Sequence, residues 1–195
     1  MGSEILTYLR LGLHHIADLR GYDHILFITA LTIAYAPGEW RRLLWLVTAF
    51  TLGHSVTLAL ATLDLVRAPA GLVEIGIALT IVISALLALL LAWRQHGGPV
   101  QGQGLRYGMA AAFGLIHGLG FSAFLRSLLG AEESIALPLL SFNVGLEVGQ
   151  FLIVAVVLLL GAAAERLFRI PRRGWVMALS VVIAVAGLGL LAQRL

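Results

Sequence analysis

The feature that most restricts this chain is apolar length. Five stretches, residues 40–63, 72–93, 105–128, 135–164 and 175–192, are long runs dominated by Leu, Val, Ala, Ile and Gly. Helices of that length match a bilayer core, which takes about 20 apolar residues per crossing. A helix satisfies every backbone amide within one segment, so an apolar run surrounded by lipid is expected to be helical. A water-soluble alternative fails on composition. Charged residues make up 12 % of the 195-residue chain and hydrophobic ones 60 %, where a soluble domain carries about 25 % charge. The sequence therefore predicts an all-α, polytopic membrane helix bundle, with residues 1–195 forming a single integral membrane domain.

A sixth, shorter apolar run covers residues 22–36 and stops at Ala36-Pro37-Gly38, a strong helix breaker. Residues 4–19 ahead of it are amphipathic: Thr7, Arg10, His14 and Asp18 recur at spacings of three and four and form one polar stripe. We expect about six transmembrane helices, preceded by an amphipathic helix that is interfacial or partly inserted. Arg10, His14 and His15 interrupt that first segment, so it does not read as a cleavable signal peptide. Arginine placement then orients the bundle. Arg41, Arg42, Arg94, Arg106, Arg166, Arg169, Arg172 and Arg173 fall on one side, against Arg10, Arg20, Arg67, Arg126 and Arg194 on the other. The richer side is expected to be cytoplasmic. Both termini and the acidic Glu132-Glu133 loop would then lie outside.

The same composition excludes several kinds of function. Without cysteine there is no thiol catalysis, disulfide or thiolate metal site. All 13 cations are arginine, and they sit in short connections between apolar runs, where topology signals belong, so a nucleic-acid partner is not expected. No nucleotide-binding motif or second domain is visible. The longest loop, about residues 94–104, is rich in Gln and Gly, and its His96 is expected to be solvated. One repeat is present. Phe50-Thr-Leu-Gly-His54 and Phe113-Gly-Leu-Ile-His117 both read Phe-x-Leu-x-His, and each is followed one span later by Glu-x-Gly, at Glu74 and at Glu147. Duplicated hairpins of this kind occur in transporter folds.

Chemistry, if there is any, must lie in the polar residues within the spans. A charge at the bilayer centre costs about 2.5–3.5 kcal/mol even on a lenient scale, so each such residue is a functional candidate. The candidates are His15, Asp23, His24, His54, His117, Asn143 and Glu147, with Glu74 nearer an edge. Thr48, Thr51 and Ser55 stand near His54 at helical spacing, and Asn143, Glu147 and Gln150 run down one helix face. Gly114-x-x-x-Gly118 brackets His117 and Gly145-x-x-x-Gly149 brackets Glu147, a spacing that lets helices approach closely. Each candidate also has a structural reading. Asp23 can cap the helix that starts at His24. A single buried histidine can simply bond to a neighbouring helix. Glu74 can be interfacial, and His14, on the polar stripe, can be exposed.

These residues resemble a family. Gly12-x-x-His15-Ile16, Gly21-Tyr-Asp23-His24-Ile-Leu-Phe27, Phe50-Thr-Leu-Gly-His54-Ser-x-Thr-Leu58, Phe113-Gly-Leu-Ile-His117-Gly-Leu-Gly-Phe121 and Phe142-Asn143-x-Gly-x-Glu147-x-Gly-Gln150 occur in the order seen in the HupE/UreJ family of small bacterial membrane proteins. The resemblance implies an inner-membrane, multi-pass protein associated with uptake of nickel, sometimes cobalt. It assigns the metal to His15, Asp23 and His24, and to His117. In the nickel-permease branch the Asp-His pair lies closer to the first histidine, a proline often follows that histidine, and the mid-chain motif holds a second histidine. Ile16 and the lone His117 therefore place the resemblance with the second, less characterised branch.

Imidazoles with carboxylate and amide oxygens suit borderline divalent ions, so nickel or cobalt ranks first and zinc or iron next. Copper(I) would call for clustered Met and Cys, and the spans hold only Met109 and Met177. The expected function is transport of such an ion, with His15, Asp23 and His24 as an outer entry site and His54, His117, Asn143 and Glu147 as a deeper relay. The expected partners are the lipid bilayer, the metal ion and, as an open option, further copies of the chain. Two alternatives stand beside transport. Three histidines and an aspartate can hold zinc with one open position and activate water, as an intramembrane hydrolase would. Paired histidines on facing helices can ligate a b-type haem.

Overall fold

The computed structural model describes residues 2–19, 21–94, 100–129 and 135–195, and these form helices and short connections with no strand among them. Arg20, His96 and the Glu132-Glu133 loop lie outside the described residues. The helices are α1 (Gly2–Ala17), α2 (Asp23–Thr32), α3 (Trp40–Thr62), α4 (Ala70–Arg94), α5 (Gln103–Leu129), α6 (Ala136–Arg166) and α7 (Arg172–Arg194). Helices α3 to α7 are the five long and apolar enough to cross a membrane. Their outer faces carry bulky exposed side chains such as Leu52, Leu86, Leu159 and Val185, as expected of a surface that meets lipid.

The expectation of about six spanning helices is met in part: among the described residues five helices are long and apolar enough to cross. The run at 22–36 yields only the ten-residue α2, about 15 Å long and half of a bilayer core. The chain leaves α2 because Ala36 is extended ahead of Pro37, and a 3₁₀ turn at Pro37–Glu39 leads into α3.

Three close pairings organise the bundle: α1 with α6, α3 with α5, and α4 with α7. The first two are parallel and depend on glycine. A methyl group at Gly53 would stand 2.0 Å from the Ala111 carbonyl oxygen, and one at Gly12 would stand 2.0 Å from that of Phe142. Any side chain at either position would push the two backbones apart. The small-residue motifs do pack helices closely. Gly145 and Gly149 of α6 receive α1, while Gly114 and Gly118 of α5 receive α3. Helix α1 is thus more than an interfacial element. Thr7, Arg10 and His14 of its polar stripe are exposed, but Tyr8, Gly12 and Ile16 are buried on the α6 side.

The α4–α7 pair is antiparallel: Gly187 meets Val82, and Arg194 reaches the Glu74 carbonyl at one end. Helices α3 to α7 therefore alternate in direction. The eight arginines grouped together by the sequence all fall at one end, beside the start of α3 and the α4–α5 and α6–α7 connections. Helix α1 begins at the opposite end, because it runs parallel to α6. Helix α2 starts at Asp23, near Arg194, and the chain just past its end reaches Tyr35, which meets Gln103 and Arg106 at the arginine-rich end. Helices α1 and α2 thus lie between the two ends as one discontinuous element, with His15 and His24 flanking the break.

Candidate metal-binding histidine cluster

Four helices bring four histidines together. His15 closes α1, His24 opens α2, His54 lies past the middle of α3 and His117 lies near the middle of α5. The His15 and His24 rings are 4.6 Å apart between centroids, His15 and His54 6.0 Å, His24 and His54 6.5 Å, and His24 and His117 5.0 Å. His15, His24 and His54 each offer a nitrogen, and these three nitrogens lie within 4.8 Å of one another. An ion with bonds of about 2.1 Å would hold such nitrogens roughly 3.3 Å apart, so modest side-chain rotation closes the set. Phenylalanines wall the cluster. Phe121 lies 4.0 Å from His15 with its ring tilted by 41°, Phe142 lies 6.4 Å from His54, and Phe27 lies 4.7 Å from His117.

His24, His54 and His117 are buried, and His15 is partly so. Even so, His15 Nε2, His24 Nε2, both nitrogens of His54 and His117 Nδ1 have no hydrogen-bond partner among the described residues. Buried polar atoms are nearly always paired. Five nitrogens of one cluster are here left without a partner, and since a neutral imidazole has one N–H and one lone pair, each ring can offer at most one of them as a ligand atom. His117 is held by α4. Its Nε2 lies 2.9 Å from Thr80 Oγ1, and that hydroxyl is 2.7 Å from the Ile77 carbonyl. With the hydroxyl proton donated to the carbonyl, Nε2–H is the donor to Thr80 and Nδ1 keeps its lone pair. Fixing a tautomer from behind in this way is what outer partners of metal-ligating histidines do.

The remaining predicted site residues lie elsewhere. Asp23 adjoins His24 in sequence, but its carboxylate pairs with Arg194 Nη2 at 2.5 Å. It does not act as a helix cap: the N-cap of α2 is Tyr22, with no side-chain cap bond. Glu147 accepts from Thr48 Oγ1 at 2.7 Å, and Gln150, one turn on, accepts from Thr51 Oγ1 at 2.8 Å. These two contacts form a polar seam between α3 and α6, running from the level of His54 toward the arginine-rich end. Asn143 is partly buried, with Oδ1 unpaired. The expected two stations are therefore arranged differently. His15, His24, His54 and His117 form one cluster drawn from both, while Asp23 and Glu147 stand apart in pairs of their own. Glu74 is exposed one turn into α4, as its edge position implied.

Sequence reasoning missed the outer partners. Thr80 and Arg194 carry no motif. Arg194 is 171 positions from Asp23, and only the packing of α7 brings it there.

The fold and the cluster define a class: a multi-pass membrane protein with four clustered imidazoles, five of whose nitrogens have no partner among the described residues. The family comparison narrows this. The model of the family described as HupE / UreJ protein matches residues 1–194, and the chain belongs to that family. No curated protein and no solved structure matches it.

Proposed function

We propose that this protein moves a divalent transition-metal ion across the membrane, nickel or cobalt before zinc or iron. The observation that carries this reading is the set of three imidazoles, from α1, α2 and α3, with converging nitrogens, of which His15 Nε2, His24 Nε2 and both His54 nitrogens have no partner among the described residues. Family membership supports it. Neutral nitrogen ligands without thiolate suit these borderline ions. They also bind loosely enough to release the cargo, as a path for transit requires. On entering, the ion exchanges its waters for His15, His24 and His54, with His117 Nδ1 beside them. The seam of Thr51, Gln150, Thr48 and Glu147 then offers oxygen ligands toward the arginine-rich end. We place that end in the cytoplasm on the positive-inside rule.

The test is uptake of labelled nickel and cobalt by cells expressing the wild type, His24→Ala or His117→Ala, with folded yield measured alongside. Lost uptake at normal yield supports transport through the cluster. Unchanged uptake in both variants returns the histidines to a structural role. An absorption spectrum of the purified protein separates the haem alternative, and zinc-dependent lipid hydrolysis in detergent separates the hydrolase. For orientation, cysteines at Ala68 and Pro171, in a chain without native cysteine, should differ in whole cells. Position 68 should react with an impermeant maleimide and position 171 should not.

A further inference from the structure

We infer that Arg194 is a tethered cation that closes the histidine cluster from the arginine-poor end, by holding the Asp23 carboxylate an incoming divalent ion would use. This rests on the metal reading above and adds a gate to it.

The geometry is specific. The Arg194 guanidinium reaches Asp23 Oδ2 at 2.5 Å through Nη2 and the Glu74 carbonyl at 2.9 Å through Nη1. One side chain thereby ties the last turn of α7 to the first turns of α2 and α4. Both charged side chains are only 17 % exposed. Asp23 is covalently next to His24, whose ring touches His15 on one side and His117 on the other. Anything that moves Asp23 therefore moves the start of α2, and with it the ring at the centre of the cluster.

The charge argument follows. A guanidinium stays protonated in proteins, so Arg194 is a permanent positive charge. A cation approaching His24 from this end is repelled by it and finds the nearest carboxylate already neutralised. Once Arg194 leaves, the Asp23 carboxylate becomes an oxygen ligand beside two imidazoles, which is a better set for a divalent ion than imidazoles alone. A monovalent guanidinium is a weak competitor for that position, and a doubly charged ion bound by several ligands outcompetes it. The released side chain has somewhere to go. Glu74, whose backbone it already touches, presents an exposed carboxylate in a cleft also lined by Val73, Gly120, Ser122 and Arg126. Arg194 can exchange Asp23 for Glu74 by a side-chain swing, which opens the cluster without moving a helix.

The experiment is titration of the purified full chain with nickel chloride by calorimetry, with thermal midpoints measured on the same samples. Arg194→Gln should bind nickel about five-fold more tightly than wild type, the scale of a partly exposed ion pair, while its midpoint falls. Arg194→Lys should stay close to wild type. In an Asp23→Asn background the gain from Arg194→Gln should shrink to less than half, because no carboxylate is then freed and only the repulsion by Arg194 is relieved. If Arg194→Gln does not fold, Arg194→Met, which keeps the apolar stem, is read in the same way. A folded variant that binds nickel no more tightly than wild type overturns the gate and leaves Arg194 as a helix tie. Failure of the metal reading looks different: wild type binds no nickel, or binding survives His54→Leu.

Discussion

Two of the polar groups that interrupt the apolar interior are built on opposite plans. At the arginine-rich end the groups are closed on themselves. Tyr35, fully buried, donates its hydroxyl to Gln103 Oε1 at 3.0 Å and accepts from Arg106 Nε at 2.8 Å, while its carbonyl accepts from Arg172. Glu39 accepts from the Ala36 and Val100 amides, both at 3.0 Å, and from Arg42 at 2.7 Å. These bonds fasten the α2–α3 connection to the starts of α5 and α7. The histidine cluster is also largely buried, and five of its nitrogens have no partner among the described residues. An unpaired buried polar group costs about 1–3 kcal/mol, and apolar side chains of similar size would avoid that cost. The closed group is therefore read as a clamp that holds the fold, and the open one is what the proposed binding site would require, at the expense of stability.

Removing a nitrogen from the open group is the largest expected way to break this comparison. His54→Leu should lower nickel affinity at least about 100-fold, the loss expected when a principal ligand is removed from a small set. Its thermal midpoint should stay level or rise, because two unpaired nitrogens leave the interior. Calorimetric titration and a melting curve on one preparation decide it. A large fall in stability would show that His54 holds the fold.

The mirror experiment is Glu39→Ala. Three donors lose their acceptor at once, in a group whose side chain is 11 % exposed. The expected loss is about 3 kcal/mol of stability, and nickel affinity of the folded fraction should be unchanged. Denaturant or thermal unfolding in one lipid composition measures it. Between these extremes lies Glu147→Gln, on the α3–α6 seam. It keeps an acceptor for Thr48 but removes the charge, so nickel binding at the cluster should persist while uptake falls several-fold. Equal losses of binding and uptake would instead place Glu147 in the cluster.

The two groups also differ in how much of each was legible in the sequence. Spans α3 to α7 were readable to within about three residues, because bilayer thickness sets a length that local composition must satisfy. The histidines were legible for the same reason: within an apolar run, each polar residue stands out. Their convergence was not legible, since it depends on which helices pair. The polar stripe of α1 pointed to an interface, and nothing local disclosed that Gly12 would seat α1 on α6 and carry His15 inward. The short α2 was visible in its breaker at Pro37, but its apolar run overstated the helix. Asp23 was read as a cap or a ligand because its neighbours allow both, and its partner Arg194 lies at the far end of the chain. The closed clamp went unread altogether. Tyr35, Glu39, Gln103 and Arg106 form no motif along the chain, and only the gathered helix ends bring them to their partners.

The exposed ion cluster at Asp64 sharpens the comparison by removing burial from it, and its effect should be the smallest. Asp64 takes a left-handed backbone conformation at φ 61°, which Asp and Asn adopt more readily than most residues. It pairs with Arg67 and with Arg126, the latter at 2.6 Å. The hydrogen bond from Arg67 comes first and the Arg126 charge adds to it, so the carboxyl is held below its ordinary range. The sign follows from linkage. A carboxyl whose folded pKa is depressed contributes stability above its unfolded value, near 3.9, and that contribution is lost as pH falls through the folded value. Asp64→Asn keeps the backbone preference and removes the charge. Its melting midpoint should fall slightly below wild type at pH 7 and low salt, and the gap should close below about pH 4 or in molar salt, where exposed charges are screened. A gap that persists in acid would mean that Asp64 acts through its backbone or packing. One as large as that for Glu39→Ala would mean that burial is not what separates the clamp from the surface.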